Sequence, residues 1–140
     1  NFNKLPDYLK KCIVIENDDK VFNVSDTLKI SDMINVPIVL DYHHYKCNKS
    51  DIDIERIFKT WNIKPKLHFS SPKSKKNFRS HSDYINSDDF IEFIEFIKKY
   101  NTDVDIMLET KMKDEALFRL VRELKYKTNY NFIDDTSFEI

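Results

Sequence analysis

The sequence predicts an α/β fold made of four successive βα units. Short runs rich in β-branched or other apolar residues lie at 12–16, 38–41, 65–69 and 103–109, and they have the length of buried strands. The segments that follow these runs carry apolar side chains at the three-to-four-residue spacing of a helix. Strands and helices that alternate in this way usually form a parallel sheet covered by helices.

The first half of the chain has clear boundary signals. Apolar side chains recur at helical spacing from 24 to 35, and Asn23 can cap the first turn of this helix. Pro37 then ends the helix and opens the strand 38–41. A second helix is predicted at 52–61, where apolar residues form one stripe.

The second half of the chain continues the alternation. Its predicted elements are a strand at 65–69, a loop at 70–87, a helix at 88–100, a strand at 103–109 and a helix at 114–126. The helix at 88–100 has the clearest periodicity, with large apolar side chains on one face. Residues 127–140 are predicted to be a polar tail without regular structure, so the predicted domain spans residues 1–126.

The size of the chain suggests half of a closed barrel. A (β/α)8 TIM barrel typically needs about 250 residues, whereas this chain has 140 residues. Four strands cannot close, and the two edges of their sheet would expose unpaired backbone groups. We therefore expect the four units to be the C-terminal half of a barrel domain, with the other half upstream in a longer protein or with a partner that covers the edges.

The composition argues against several classes of protein. Glycine is absent, which rules out the glycine-rich phosphate loops of P-loop and Rossmann proteins. No apolar run approaches 18 residues, so no membrane span or membrane partner is expected. Two cysteines do not make a disulfide framework, which favours an intracellular protein, in the cytoplasm or with the genome. The net charge of −1 argues against a generally basic nucleic-acid binder.

One segment departs from this neutral balance. Between Lys64 and Arg79 there are six basic residues and no acidic residue. A loop of this kind can bind phosphates even on a protein without a large net charge. The alternative is a solvated lysine-rich loop without a ligand.

Residues that can bind a divalent metal end each predicted strand. Glu16, Asp41 and Glu109 follow apolar runs directly, and His68 lies near the end of the third strand. Because ligands of parallel α/β folds bind outside the carboxyl ends of the strands, we expect these side chains to converge. A charged side chain that ends an apolar strand also needs a metal or a partner.

Two further histidines extend this set. His44 follows Asp41 by three residues, and His81 lies at the end of the basic loop, where Asp83 could orient it. The alternatives are that Asp41 only caps a helix and leaves its neighbouring histidines exposed, and that His81 is an ordinary loop residue. Lys66 shares a strand face with His68, so beside carboxylates it would either pair with acids or be modified.

The chemistry of this set indicates a metal cluster. Three carboxylates and three imidazoles suit Mn²⁺ or Zn²⁺ better than Ca²⁺, and six ligands exceed one tetrahedral site. Clustered divalent ions beside a basic loop are typical of phosphodiester hydrolysis.

The motifs resemble those of the UV damage endonucleases. The matching runs are Ile-Glu-Asn-Asp-Asp-Lys (15–20), Val-Leu-Asp-Tyr-His-His (39–44), Lys-Leu-His-Phe-Ser-Ser-Pro (66–72), His-Ser-Asp-Tyr-Ile (81–85) and Met-Leu-Glu-Thr-Lys-Met-Lys-Asp (107–114). The resemblance spans residues 12–121 and keeps the order and approximate spacing of the motifs. It implies a TIM-barrel fold similar to that of the endonuclease IV type of abasic-site nucleases.

The resemblance implies an activity and a cofactor. Members of the family nick damaged double-stranded DNA immediately 5′ to UV photoproducts, using a cluster of Mn²⁺ ions. For this protein we therefore expect Mn²⁺, with Zn²⁺ or Mg²⁺ as alternatives. Glu16 would bridge two ions and Asp41 would join it. The other metal ligands would be His44, His68, His81 and Glu109.

Roles are also expected for other residues. Lys66 matches a lysine that is carboxylated in a family member, and it would act in catalysis with Glu16 and Glu109. The supporting residues around the metals would be His43, Asp83 and Lys111. The expected contacts to DNA phosphates are Lys73, Lys75, Lys76 and Arg79.

One departure from the family pattern limits this expectation. The first half of family members carries three further metal-binding histidines and the residues that probe the lesion, and this chain contains neither. We therefore expect this chain alone not to cut DNA. A sugar-isomerase-like metal barrel and a non-catalytic remnant that acts as a binding module remain as alternatives.

Overall fold

A computed structural model describes residues 2–140 of the chain. It contains two compact units. The first unit comprises the chain up to His68 together with Asp103–Met107, and the second comprises Phe69–Thr102 and Leu108–Ile140. No helix within residues 2–140 is long and apolar enough to cross a membrane.

The chain alternates between strands and helices. The strands are β1 (Ile15–Glu16), β2 (Ile38–Asp41), β3 (Lys66–Phe69), β4 (Asp105–Leu108), β5 (Asn131–Phe132) and β6 (Phe138–Glu139). The helices are α1 (Asp7–Lys10), α2 (Val24–Ile34), α3 (Tyr42–Cys47), α4 (Ile54–Lys59), α5 (Ser87–Lys98) and α6 (Lys113–Lys127), and a short 3₁₀ helix spans Phe2–Lys4.

The first unit is built around a four-stranded sheet with the order β1-β2-β3-β4. β1 pairs with β2 in parallel, and β2 pairs with β3 in parallel. The register places Asp41 beside His68 at the ends of β2 and β3. The predicted α/β class is confirmed, and the parallel order brings the ends of β1, β2 and β3 to one edge of the sheet.

The centre of the first unit lies around β2. Every residue of β2 is buried, because α2 and α4 both pack against this strand. Val24 of α2 and Ile57 of α4 are 0% exposed, and burial of such side chains stabilises a fold by about 1.5–3 kcal/mol each. The end of α4 is tied to β2, since the Trp61 indole donates to the carbonyl of Ile38 at 2.7 Å.

The second unit has an aromatic core. Phe69 and Phe93 are 0% exposed, and Phe90 is 3% exposed. The Phe69 ring lies 5.1 Å from each of the other two rings, edge-on to Phe90. Such pairs add about 0.5–1.5 kcal/mol beyond the burial of their area. α5 packs against α6 in the same unit, so the periodic apolar face predicted at 88–100 is a core face.

Most predicted elements are present with small shifts of their ends. The strand 38–41 is confirmed without change, and the helix 24–35 is α2. The side chain of Asn23 accepts a hydrogen bond from the amide of Asp26, so the predicted N-cap is also confirmed. The helix 52–61 begins only at Ile54, because Asp53 caps it by accepting from the amide of Arg56.

The prediction of a buried strand over 12–16 was wrong in its extent. β1 contains only Ile15 and Glu16, and Val14 is 45% exposed. The amide of Ile15 donates to the carbonyl of Pro37. Because proline has no N–H, the ladder cannot continue from Pro37 toward residue 13, and the pairing stops there.

Several short elements within residues 2–140 were not predicted, and the 3₁₀ helix at Phe2–Lys4 and α1 are among them. The short helix α3 follows β2 without a connecting loop. The tail 127–140, which was predicted to lack structure, contains the antiparallel pair β5–β6. The Tyr130 and Phe138 rings stack there with centroids 5.0 Å apart, and this aromatic contact stabilises a hairpin that the polar composition conceals. The predicted domain boundary at residue 126 remains a prediction.

Candidate metal centre

Asp41 joins a buried strand to a helix. It is the last residue of β2 and is 0% exposed. One carboxylate oxygen, Oδ1, accepts a hydrogen bond from the amide of His44 at 2.7 Å, so Asp41 is the N-cap of α3. The short helix turns His44 back toward the strand end. The cap expected as an alternative is therefore present, but the exposed histidines that went with it are not, since His43 is 0% exposed.

Carboxylates and imidazoles meet at the ends of β1, β2 and β3. Glu16 Oε1 lies 3.3 Å from His44 Nδ1 and 3.4 Å from His68 Nδ1. His44 Nδ1 also lies 3.7 Å from Asp41 Oδ2. One ligand atom each of Glu16, Asp41 and His68 lies within 4.8 Å of the others. Three residues of the predicted strand-end set, Glu16, Asp41 and His68, thus meet within the first unit together with His44.

Hydrogen bonds and charges at this cluster favour an ionised Glu16 and a protonated His44. Burial raises the pKa of Glu16, but hydrogen bonds with His44 and His68 and the charges of these imidazoles outweigh it and lower the pKa to about 2. The hydrogen bond with Glu16 raises the pKa of His44 to about 9 against the opposing effect of burial, and the charge of Asp41 adds to it. A positive imidazolium therefore sits between two carboxylates at neutral pH.

The donor set fits a divalent metal ion. Two carboxylates and two imidazoles within a few ångström form the mixed oxygen and nitrogen environment that Mn²⁺ and Zn²⁺ accept. A buried carboxylate such as that of Asp41 is costly without compensating charge. A metal ion would supply this charge where the proton on His44 now does.

Lys66 pairs with an acid that the sequence did not suggest. Its ammonium group donates to Asp105 of β4, and Lys64 lies 3.5 Å from the other oxygen of the same carboxylate. The hydrogen bond from Lys66 is the main reason that the pKa of Asp105 is lowered. Of the two expectations for Lys66, pairing with an acid is the one that the structure contains. A catalytic role for Lys66 remains a prediction.

The second unit contains the remaining ligand candidates. His81 Nδ1 lies 3.7 Å from Glu109 Oε2. The amide of Glu109 donates to the carbonyl of Phe69 at 2.9 Å, which fixes the backbone where β4 ends. Both residues line a cleft of about 480 Å³ whose other lining residues are Lys73, Ser80, Thr110 and Lys111.

The basic loop is exposed and has a defined backbone. Its four predicted phosphate contacts, Lys73, Lys75, Lys76 and Arg79, are all exposed. The amide of Lys73 donates to the carbonyl of Ser80 at 2.7 Å, and Pro72 and His81 form an isolated bridge. The loop therefore folds back on itself and presents its cations to solvent beside the cleft.

The predicted supporting residues have identifiable contacts. Lys111 Nζ lies 3.7 Å from Asp83 Oδ1, and the carbonyl of Asp83 accepts from the amide of Met112. His43 Nε2 lies 3.8 Å from the thiol of Cys47. These contacts do not test the supporting roles of His43, Asp83 and Lys111, which remain predictions.

Asn17 was missed by the sequence reasoning. It follows Glu16 directly and is 1% exposed. Its side-chain amide forms two hydrogen bonds with the backbone of Asp41. The only sequence signal is a polar residue immediately after a metal-ligand candidate at the end of a strand.

The fold and the cluster together define a class: an α/β protein with a candidate divalent-metal centre at the carboxyl ends of parallel strands. A sequence model of the UV-endonuclease UvdE family matches residues 1–139, so the chain belongs to this family. The resemblance seen in the motifs is thereby confirmed.

Individual relatives agree with this assignment. A UV DNA damage endonuclease from a strain of Bacillus cereus is 47% identical over 131 residues, a match that covers 89% of this chain and 41% of the relative. One from Bacillus velezensis is 42% identical over 132 residues, with the same shares covered. The crystal structure of SacUVDE has a TM-score of 0.77 and 33% identity, and the match covers 89% of this chain and 43% of that one. The chain thus spans about two fifths of the length of these relatives.

Proposed function

We propose that the protein containing this chain is a metal-dependent endonuclease of DNA repair, which hydrolyses the phosphodiester 5′ to UV photoproducts. The single observation that carries the proposal is the meeting of Glu16, Asp41, His44 and His68 at the ends of β1, β2 and β3. Its meaning as a nuclease centre comes from membership of the UV-endonuclease family.

We propose six residues of the chain as metal ligands. Glu16, Asp41, His44 and His68 would hold the ions together with His81 and Glu109, and Mn²⁺ is the metal that we propose. The inclusion of Glu109 is supported by its position directly after β4, which neighbours β3 in the sheet. His81 is included because it lies 3.7 Å from Glu109. Bound divalent ions would supply an activated water and stabilise the leaving oxygen.

Other residues of the chain would bind the substrate. The exposed cations Lys73, Lys75, Lys76 and Arg79 would contact phosphates of damaged double-stranded DNA, and these contacts set affinity and position rather than sequence preference. Lys66, on the strand that carries His68, would form a charged pair with Asp105 of β4. The missing metal ligands and lesion-probing residues would come from an N-terminal half of the barrel. Such an enzyme would work in the compartment that holds the genome.

A nicking assay on UV-irradiated supercoiled plasmid tests the proposal. The intact protein with Mn²⁺ should convert irradiated plasmid to the nicked form and leave unirradiated plasmid intact. Glu16→Gln and Glu109→Gln should each reduce the rate by at least about 100-fold, more than loss of an outer residue of a metal site typically does.

The matched control is Glu92→Gln, because Glu92 is an exposed residue on α5 and the substitution removes the same charge. This variant should nick at the rate of the unaltered protein. An intact protein that binds Mn²⁺ but never nicks irradiated DNA would overturn the nuclease proposal and favour a non-catalytic binding role.

A further inference from the structure

We propose that Asn17 is a positioning residue of the metal centre, which ties the ends of β1 and β2 together and so fixes the positions of Asp41 and His44. This inference rests on the proposed metal-dependent function, because it concerns the same centre. It assigns a role to a buried side chain that is not itself a metal-ligand candidate.

The first observation is the double hydrogen bond between Asn17 and the backbone of Asp41. Asn17 Nδ2 donates to the carbonyl of Asp41 at 3.0 Å, and Oδ1 accepts from the amide of Asp41 at 3.0 Å. A side-chain amide carries both a donor and an acceptor, which is what a peptide group requires. The last residues that pair between β1 and β2 are Glu16 and Val39. The side chain of Asn17 therefore adds two hydrogen bonds between the chains just beyond this pair.

The second observation is the contact between the backbone of Asn17 and the ring of His44. The carbonyl oxygen of Asn17 lies 3.0 Å from His44 Nδ1. The same nitrogen lies 3.3 Å from Glu16 Oε1 and 3.7 Å from Asp41 Oδ2. The carbonyl of Asn17 therefore contacts the edge of the ring that faces both carboxylates, and outer contacts of this kind orient the imidazole ligands of metal sites.

These contacts form a closed ring of three residues. The side chain of Asn17 holds the backbone of Asp41, the carboxylate of Asp41 accepts from the amide of His44, and the ring of His44 contacts the carbonyl of Asn17. Two of the three members are ligand candidates. Displacement of Asn17 would therefore change the position of Asp41 and the orientation of His44 together.

The role predicts a measurable state of His44 in the unaltered protein. In the intact protein loaded with Zn²⁺, which is diamagnetic, ¹⁵N–¹H correlation spectra of the histidine rings should show a single ordered signal for His44. Exchange of His44 among several ring signals in this spectrum would overturn the inference, whether or not any variant folds.

The role also predicts the effect of removing the side chain. Asn17→Ala should weaken Mn²⁺ binding by about 10–100-fold, the usual effect of losing an outer residue of a metal site, and its zinc-loaded spectrum should lose the single ordered signal of His44. Asn62→Ala is the matched control, because Asn62 is exposed, and it should change neither measurement.

The outcomes separate this inference from the proposed function. If the unaltered protein binds neither Mn²⁺ nor Zn²⁺, the metal-dependent function itself fails. If the unaltered protein binds metal and Asn17→Ala binds it equally well with the same His44 signal, only the positioning role fails. If Asn17→Ala does not fold, the His44 spectrum of the unaltered protein decides.

Discussion

At the scale of single residues, the carboxylate of Glu16 is the group that both imidazoles of the cluster contact. One oxygen of its carboxylate lies within 3.4 Å of two imidazole nitrogens. A divalent ion bound by Glu16 and His44 would replace the proton that now links them. Metal binding and protonation therefore compete for the same atoms.

This competition predicts that metal binding releases a proton. The pKa of His44 is raised to about 9, so below pH 9 the ring must lose its proton before it can coordinate. The affinity for Mn²⁺ should rise about tenfold per pH unit between pH 6 and 8 and level off above pH 9. Calorimetry in buffers of different ionisation enthalpy measures the released proton.

The same measurement on His44→Asn provides the control. This variant should bind Mn²⁺ more weakly, and the proton release assigned to His44 should disappear. Equal proton release by the variant and the unaltered protein would show that another group titrates.

At the scale of elements, the basic loop has the clearest separate role. Its backbone is held between Lys73 and Ser80 by a hydrogen bond, so its lysine side chains can change without loss of the core. Its contribution to function should be electrostatic and should depend on ionic strength.

Replacement of Lys75 and Lys76 by alanine should weaken DNA binding equally for damaged and undamaged sequences. Each lost phosphate contact should reduce the slope of log affinity against log salt concentration by about 0.9. Fluorescence anisotropy across a salt series measures this slope. Lys49→Ala, which removes an exposed lysine elsewhere on the chain, is the control, and an identical loss in this variant would argue against a specific role for the loop.

Local sequence signals predicted the elements whose causes are local. β2 was predicted because it is a buried apolar run behind a proline, and α5 because its face repeats at helical spacing. β1 was predicted too long because its length depends on Pro37, which directly precedes the neighbouring strand β2. The C-terminal hairpin depends on a ring contact between Tyr130 and Phe138, which no local pattern shows.

In the candidate site too, features with local causes were predictable from the sequence, and features that depend on tertiary contacts were not. Strand-end positions were sufficient to predict the meeting of Glu16, Asp41, His44 and His68. The partners of Lys66 and Asn17 were not predictable, because Asp105 lies 39 residues from Lys66 and Asp41 lies 24 residues from Asn17. These contacts depend on strand order and register, which the sequence alone does not specify residue by residue.

At the scale of the whole molecule, the metal centre should contribute to folding stability. Its ligands come from separate strands, so an ion that binds only the folded state stabilises it by mass action. Free Mn²⁺ at about 100 times its dissociation constant should raise the free energy of unfolding of the intact protein by about 2.7 kcal/mol. Urea unfolding with and without Mn²⁺ measures the difference.

Glu16→Gln should lose most of this increment, because it removes a charged ligand. Glu92→Gln should keep all of it, since Glu92 is an exposed residue of α5. An equal increment in both variants would mean that Mn²⁺ stabilises the protein through a different site.

The direct junction of β2 and α3 restricts which residue can stand at position 41. One oxygen of Asp41 starts the helix by accepting from the amide of His44, and the other lies 3.7 Å from the ring of the same histidine. Asparagine would keep the acceptor for the helix but remove the negative charge. Glutamate would keep the charge but is too long for the cap geometry. Two independent requirements thus converge on one carboxylate, and aspartate alone satisfies both.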